Sequence, residues 1–124
     1  MSGTQKKGKA AEDLALRAYL AWGAALLCRN YRVKCGELDL ILEEPGLDGA
    51  RGLVIVEVRG RRLDRAWDSP AESLSQAKLS RIRNATSVFL FQDAGDCSRW
   101  SSIRFDLAAW DGEKLQIYPN FWWY

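Results

Sequence analysis

A chain of 124 residues with 48% hydrophobic and 27% charged residues has the balance of one globular domain with its own core. No apolar run approaches the roughly 20 residues that a bilayer span needs, and the absence of histidine removes the commonest general base and transition-metal ligand. The formal charge of +2 is too small to define a polyanion partner, so the placement of the charges carries more weight.

Lys6, Lys7 and Lys9 lie at the start, and the polar stretch 1–8 is expected to fray. An amphipathic pattern follows it instead of an apolar block, so no secretory signal is read there. The three cysteines, Cys28, Cys35 and Cys97, form no Cys-x-x-Cys pair. They fit reduced, buried thiols in a cytoplasmic protein better than a zinc site. From Lys9 to Ala21, apolar residues recur at helical spacing (Ala11, Leu14, Ala15, Ala18, then Trp22), which predicts a first helix stopped by Gly23. Glu12 then falls in the first turn, where a carboxylate complements the helix dipole.

Ala25 to Lys34 reads as a strand, and Cys35-Gly36 as a tight turn into Glu37 to Glu43, a strand that carries carboxylates. A period of two puts Glu37, Asp39 and Ile41 on one face and Leu38, Leu40 and Leu42 on the other. Glu44 to Gly52 is turn chemistry, a hairpin loop. Leu53 to Arg59 is Val- and Ile-rich and so central, with Ile55, Glu57 and Arg59 on one face. The first three strands should form an antiparallel meander in which Asp39 and Glu57 converge beside Arg59.

A basic loop, Gly60 to Ser69, follows, with Arg61, Arg62 and Arg65. Ser69-Pro70-Ala71-Glu72 is a helix start with a capping box, and the helix is expected to run through Leu74, Leu79, Ile82 and Ala85 to Phe89, stopping near Asp93 to Gly95. Ile103, Phe105 and Leu107 alternate with polar Ser102, Arg104 and Asp106, which predicts a fourth strand. Asp111-Gly112 turns the chain into a short last strand through Leu115 and Ile117, before the aromatic tail Phe121 to Tyr124. The fold class is therefore α/β, a mixed β-sheet flanked by helices in the order α-β-β-β-α-β-β, as a single domain over 1–124.

Acids set into an apolar sheet are costly unless something pairs with them. Two such acids, with no histidine, suit a hard, oxygen-loving cation, Mg²⁺ or Mn²⁺. Such an ion offsets charge building on a phosphodiester and lowers the pKa of its water. Arg59 and the basic loop behind it would contact a nucleic-acid backbone.

Gly-Glu-Leu-Asp-Leu-Ile at 36–41 followed by Val-Glu-Val-Arg-Gly-Arg at 56–61 resembles the Asp…Glu-x-Lys core of the restriction-endonuclease-like nucleases. With Gly8 to Glu12, Arg29 to Arg32, Lys78, Arg104 to Leu107 and Pro119 to Phe121, the whole chain resembles the small bacterial YraN family, similar in pattern to archaeal Holliday-junction resolvases. The resemblance implies a restriction-endonuclease-like fold and a metal-dependent phosphodiesterase site. In it, Asp39, Glu57 and the carbonyl of Val58 would hold Mg²⁺ or Mn²⁺, and Glu12 would complete the metal shell. Glu37 would be accessory, and Arg61, Arg62 and Arg65 would bind the nucleic acid, DNA before RNA. Position 59 departs from the pattern: it is Arg where the family has Lys. Arg stays protonated and cannot act as a base, so Lys78 becomes the candidate amine.

Plainer readings stand beside these. Glu12 also reads as a solvent-exposed helix acid, and Glu37 with Arg59, or Glu57 with Arg61, as cross-strand ion pairs worth about 0.2–1 kcal/mol each. Lys78 reads as a surface lysine, and the aromatic tail as core or as a contact with a second copy, a homodimer. Three functions remain open: an endonuclease, a nucleic-acid-binding module whose chemistry was weakened at Arg59, and a protein-interaction adaptor.

Overall fold

The architecture is that of a computed structural model, which describes residues 3–60 and 74–122. Helix α1 (Gly3–Ala21) leads into β1 (Ala25–Val33), β2 (Gly36–Pro45) and β3 (Arg51–Gly60). Helix α2 (Gln76–Val88) follows, then β4 (Trp100–Trp110) and β5 (Leu115–Trp122). The expected order α-β-β-β-α-β-β is the order found. The five strands among the described residues form one sheet in chain order, β1-β2-β3-β4-β5. The first three make the antiparallel meander, β3 and β4 run parallel, and β5 returns antiparallel. A parallel neighbour needs a crossover, and α2 lies within it.

The helices cover opposite faces because β3 is apolar on both. Leu53 and Ile55 pack with Ile82 and Ala85 of α2, whereas Val54 and Val56 pack with Ala15 and Tyr19 of α1. A strand buried on both faces is central, as its Val- and Ile-rich sequence predicts.

Alternation fails at one point in β2. Leu38 packs on the α2 side with Ile41, whereas Leu40 and Leu42 pack on the α1 side, so Glu37, Asp39 and Ile41 do not share one uninterrupted face. The cause lies across the ladder. Arg29 pairs with Leu40 and Tyr31 with Leu38, which sets Asn30 opposite Asp39, and Asn30 has φ 56°. That left-handed conformation is one Asn tolerates better than most residues. It reverses the facing of both strands at this step. Pairing of β2 with β3 also ends at Leu40–Val56, so the strands part where Asp39 lies.

Other boundaries moved for local reasons. Helix α1 begins earlier than Lys9, so Glu12 sits inside it instead of in a dipole-facing first turn. Helix α2 does not pass through Leu74: Ser75 is its N-cap, accepting a hydrogen bond from the Lys78 N–H, and the helix starts at Gln76. The capping box at Ser69 to Glu72 and the arginines at 61, 62 and 65 lie outside the described residues. Strands β2 and β3 extend into the expected hairpin loop, leaving a short helical turn at Leu47–Gly49. Asp106, expected on a polar face, is fully buried beneath α1. Among the described residues no helix is long and apolar enough to cross a membrane.

Candidate functional site

The parting of β2 and β3 leaves the Val58 N–H without a ladder partner, and the Asp39 carboxylate takes its place: the N–H donates to Asp39 Oδ2 at 2.8 Å. Asp39 is therefore held by backbone in the gap between two strands. Glu57 arrives from β3 on the α2 side, and the two carboxyls lie close enough for each to shift the other's ionisation. Both are buried, Asp39 to 7% exposure and Glu57 to 3%.

Burial, first, and then the charge of Asp39 push the Glu57 carboxyl up to about 8. Burial raises Asp39 as well, against the lowering effect of its hydrogen bond from the Val58 N–H. Two carboxyls buried this close together resist ionising at once, so the pair favours one negative charge over two. Glu57 Oε2 is met by Lys78 Nζ at 3.4 Å and by an Arg59 guanidinium nitrogen at 3.8 Å. Its other oxygen, Oε1, is buried with no hydrogen-bond partner, alone among the described buried side-chain atoms.

The remaining candidates are placed unequally. Glu12 approaches from α1, with Nε of Arg29 at 3.2 Å from its Oε1 and Asn30 as a further hydrogen-bond partner. Burial and the nearby charge of Asp39 raise its carboxyl, so Glu12 belongs to the same neighbourhood and is not a freely solvated helix acid. Glu37 pairs with Arg32 at 3.1 Å and not with Arg59. Lys78, which also reads as an ordinary surface lysine, is drawn to Glu57. Val58 meets the site through its amide. Among the described residues no three His, Cys, Asp or Glu side chains converge at metal-ligand spacing.

The structure adds residues to which sequence reasoning gave no role. Arg29 ties Glu12 to β1 while also binding Asp13. Asn30 sets the kink opposite Asp39. Arg32, Lys34 and Arg81 line a cleft with Lys78 and Glu37. The signal for the last group was present as Arg32-x-Lys34 and Lys78-x-x-Arg81, two cation pairs at strand and helix spacing.

The family model described as "Uncharacterised protein family UPF0102" matches residues 11–109. The chain belongs to this family. It is the YraN family, and the match spans Glu12, both carboxylate strands and α2. A UPF0102 protein of Ralstonia nicotianae is 40% identical over 116 residues, 92% of this chain and 84% of that one. One from Pseudomonas paraeruginosa is 36% identical over 124 residues, 98% and 91% of the two chains. A relative from a Mycobacterium species is 37% identical over 100 residues, 81% of this chain and 69% of its own. Family membership thus covers the whole carboxylate site, and the family's description names no activity.

Proposed function

We propose that this family member is a divalent-metal-dependent phosphodiesterase acting on nucleic acid, DNA before RNA, with Asp39 and Glu57 as its metal-holding acids. The observation that carries this reading is Glu57 Oε1, a buried carboxyl oxygen without a hydrogen-bond partner. Leaving such an atom unsatisfied costs about 1–3 kcal/mol, a penalty that a cation would remove. The donors would all be oxygen: the two carboxyls, the Val58 carbonyl and Glu12, which would have to leave Arg29 to join them. This set fits Mg²⁺ or Mn²⁺ and not a soft metal.

Bound there, the ion would act as a Lewis acid toward a phosphodiester and its attacking water. The chain's own residues set the conditions. Glu57 must give up the proton it holds to about pH 8 before it can serve as a full anionic ligand. Asp39 is kept in place by the Val58 N–H. Lys78 and Arg59 bring positive charge to the same carboxylate and would meet the phosphate. Arg59 cannot serve as the base, because a guanidinium keeps its proton.

A second reading, a nucleic-acid-binding module with weakened chemistry, is favoured by Arg59 itself and by the engagement of Glu12 with Arg29. One experiment separates the two. The purified chain is incubated with branched, duplex and single-stranded DNA and RNA, with Mg²⁺ or Mn²⁺. The phosphodiesterase reading expects nicking that falls more than about 100-fold in Asp39→Ala and Glu57→Ala, and that Arg59→Lys raises. Equal background cleavage in the acid variants would refute it.

A further inference from the structure

The β1–β2 turn and helix α2 enclose a cleft of about 360 Å³ beside the paired carboxylates. Arg32, Lys34, Lys78 and Arg81 line it against a single carboxylate, Glu37. Glu37 is already engaged by Arg32 at 3.1 Å. Among the described residues Lys34 and Arg81 form no salt bridge. Positive charge is thus in excess within a concave surface, where low-dielectric walls focus the field.

The backbone that carries these cations is set before any ligand arrives. Lys78 and Arg81 are three apart on α2 and share a helical face. Gly36 seats the turn directly on that helix: a Cβ there would lie 2.4 Å from the Arg81 carbonyl oxygen. Lys78 belongs to both regions, lining the cleft and reaching Glu57 at 3.4 Å. The cleft therefore opens beside the carboxylate pair. No aromatic side chain lines it, so it offers charge and hydrogen bonds without a stacking platform.

We propose that this cleft is a phosphate-backbone track: it binds the nucleic-acid strand flanking the phosphodiester at Asp39 and Glu57, through contacts that do not read sequence. The proposal rests on the nucleic-acid reading of the carboxylate site and extends it to Arg32, Lys34 and Arg81. Contacts to phosphate by arginine and lysine position a strand and make its binding salt-dependent.

Binding is measured by fluorescence anisotropy with labelled single-stranded and duplex DNA and matching RNA, in EDTA so that cleavage is silent. The double variant Lys34→Ala, Arg81→Ala should weaken binding about tenfold at low salt (about 50 mM) and reduce the slope of log Kd against log salt by about 1–2. The control double variant Lys9→Ala, Arg17→Ala removes the same charge from α1 and should change affinity less than about twofold. Cys35, exposed at the cleft, gives a readout in the unmutated chain: oligonucleotide should slow its alkylation, followed by mass spectrometry of its peptide. Equal losses in the two double variants, or alkylation of Cys35 unchanged by saturating oligonucleotide, overturn the track. So does the absence of binding by the unmutated chain at low salt. Selective loss in the cleft variant without any metal-dependent cleavage keeps the track and removes the phosphodiesterase reading. Cleavage with KM unchanged in the cleft variant does the reverse.

Discussion

Among the buried acids of this sheet, Asp106 and the Asp39–Glu57 pair differ most in how completely their oxygens are used. Asp106, fully buried on β4, accepts hydrogen bonds from the Tyr19 hydroxyl at 2.6 Å, Arg104 Nε at 2.9 Å and the Asn120 N–H at 2.8 Å. Arg104 is in turn paired with Glu44 on β2. The network joins α1, β2, β4 and β5. At Asp39 and Glu57 the same device starts and stops short: one backbone N–H on Asp39, two cations on one Glu57 oxygen, none on the other. Both sites even use a left-handed asparagine to break the ladder, Asn120 across from Asp106 and Asn30 across from Asp39. A satisfied buried carboxylate holds a fold together. A buried carboxyl oxygen left with no donor is poised to take a cation.

That contrast breaks first at Asp106. Asp106→Ala leaves the Tyr19 hydroxyl, the Asn120 N–H and the Arg104 guanidinium without their acceptor. The expected loss is about 3–5 kcal/mol in urea denaturation, with any Mn²⁺-dependent rise in Tm retained by the molecules that stay folded. A cost below about 1 kcal/mol would mean that the network is not structural.

The opposite outcome is expected at the pair. Glu57 has a folded pKa raised from 4.5 to about 8. The folded chain therefore binds a proton that the unfolded chain has released, and stability falls as pH rises through that window, by at most about 1.4 kcal/mol per pH unit. Glu57→Gln resembles the protonated acid. It should flatten that slope, leave the variant more stable than the parent at pH 8, and lose the Mn²⁺-dependent rise in Tm. Asp39 is raised in the same direction, so a smaller residual slope remains. A parent chain whose stability is level across this range contradicts the raised Glu57 carboxyl. So does a Gln variant that still responds to Mn²⁺.

These two sites also mark how far the sequence could be read. The central strand and the meander follow from Val- and Ile-rich composition and turn chemistry, whereas the parallel seat of β4 beside β3 comes from the fold alone. Asp39 and Glu57 stand out because acids interrupt apolar runs. Asp106 did not, because Ile103, Phe105 and Leu107 make a clean alternating pattern in which Arg104 and Asp106 look solvated; only the fold brings Tyr19 and Asn120 onto that face. The facing of Leu38 was missed for a similar reason. Period two assumes an unbroken ladder, and one left-handed residue at Asn30 ends it. Arg29's hold on Glu12 joins residues 17 apart in sequence, a contact no local pattern encodes.

The smallest expected effect is at Gly36, and it sharpens the contrast because it reaches one site and not the other. The atom a Cβ would meet is backbone, the Arg81 carbonyl oxygen, so no rotamer change can relieve the clash and the turn must lift from α2. Overpacking of this kind costs about 1–3 kcal/mol. Lys78 rides on α2, so Gly36→Ala should also shift its ammonium relative to Glu57. With less compensation from Lys78, the Glu57 carboxyl would be raised further, and the fall in stability with pH should extend to higher pH than in the parent. Asp106 lies beneath α1 on the opposite face, so Tyr19→Phe should cost the same, about 1 kcal/mol, with or without the Gly36 change. Coupling between Gly36→Ala and Tyr19→Phe beyond about 0.5 kcal/mol would show that the two sites are not independent.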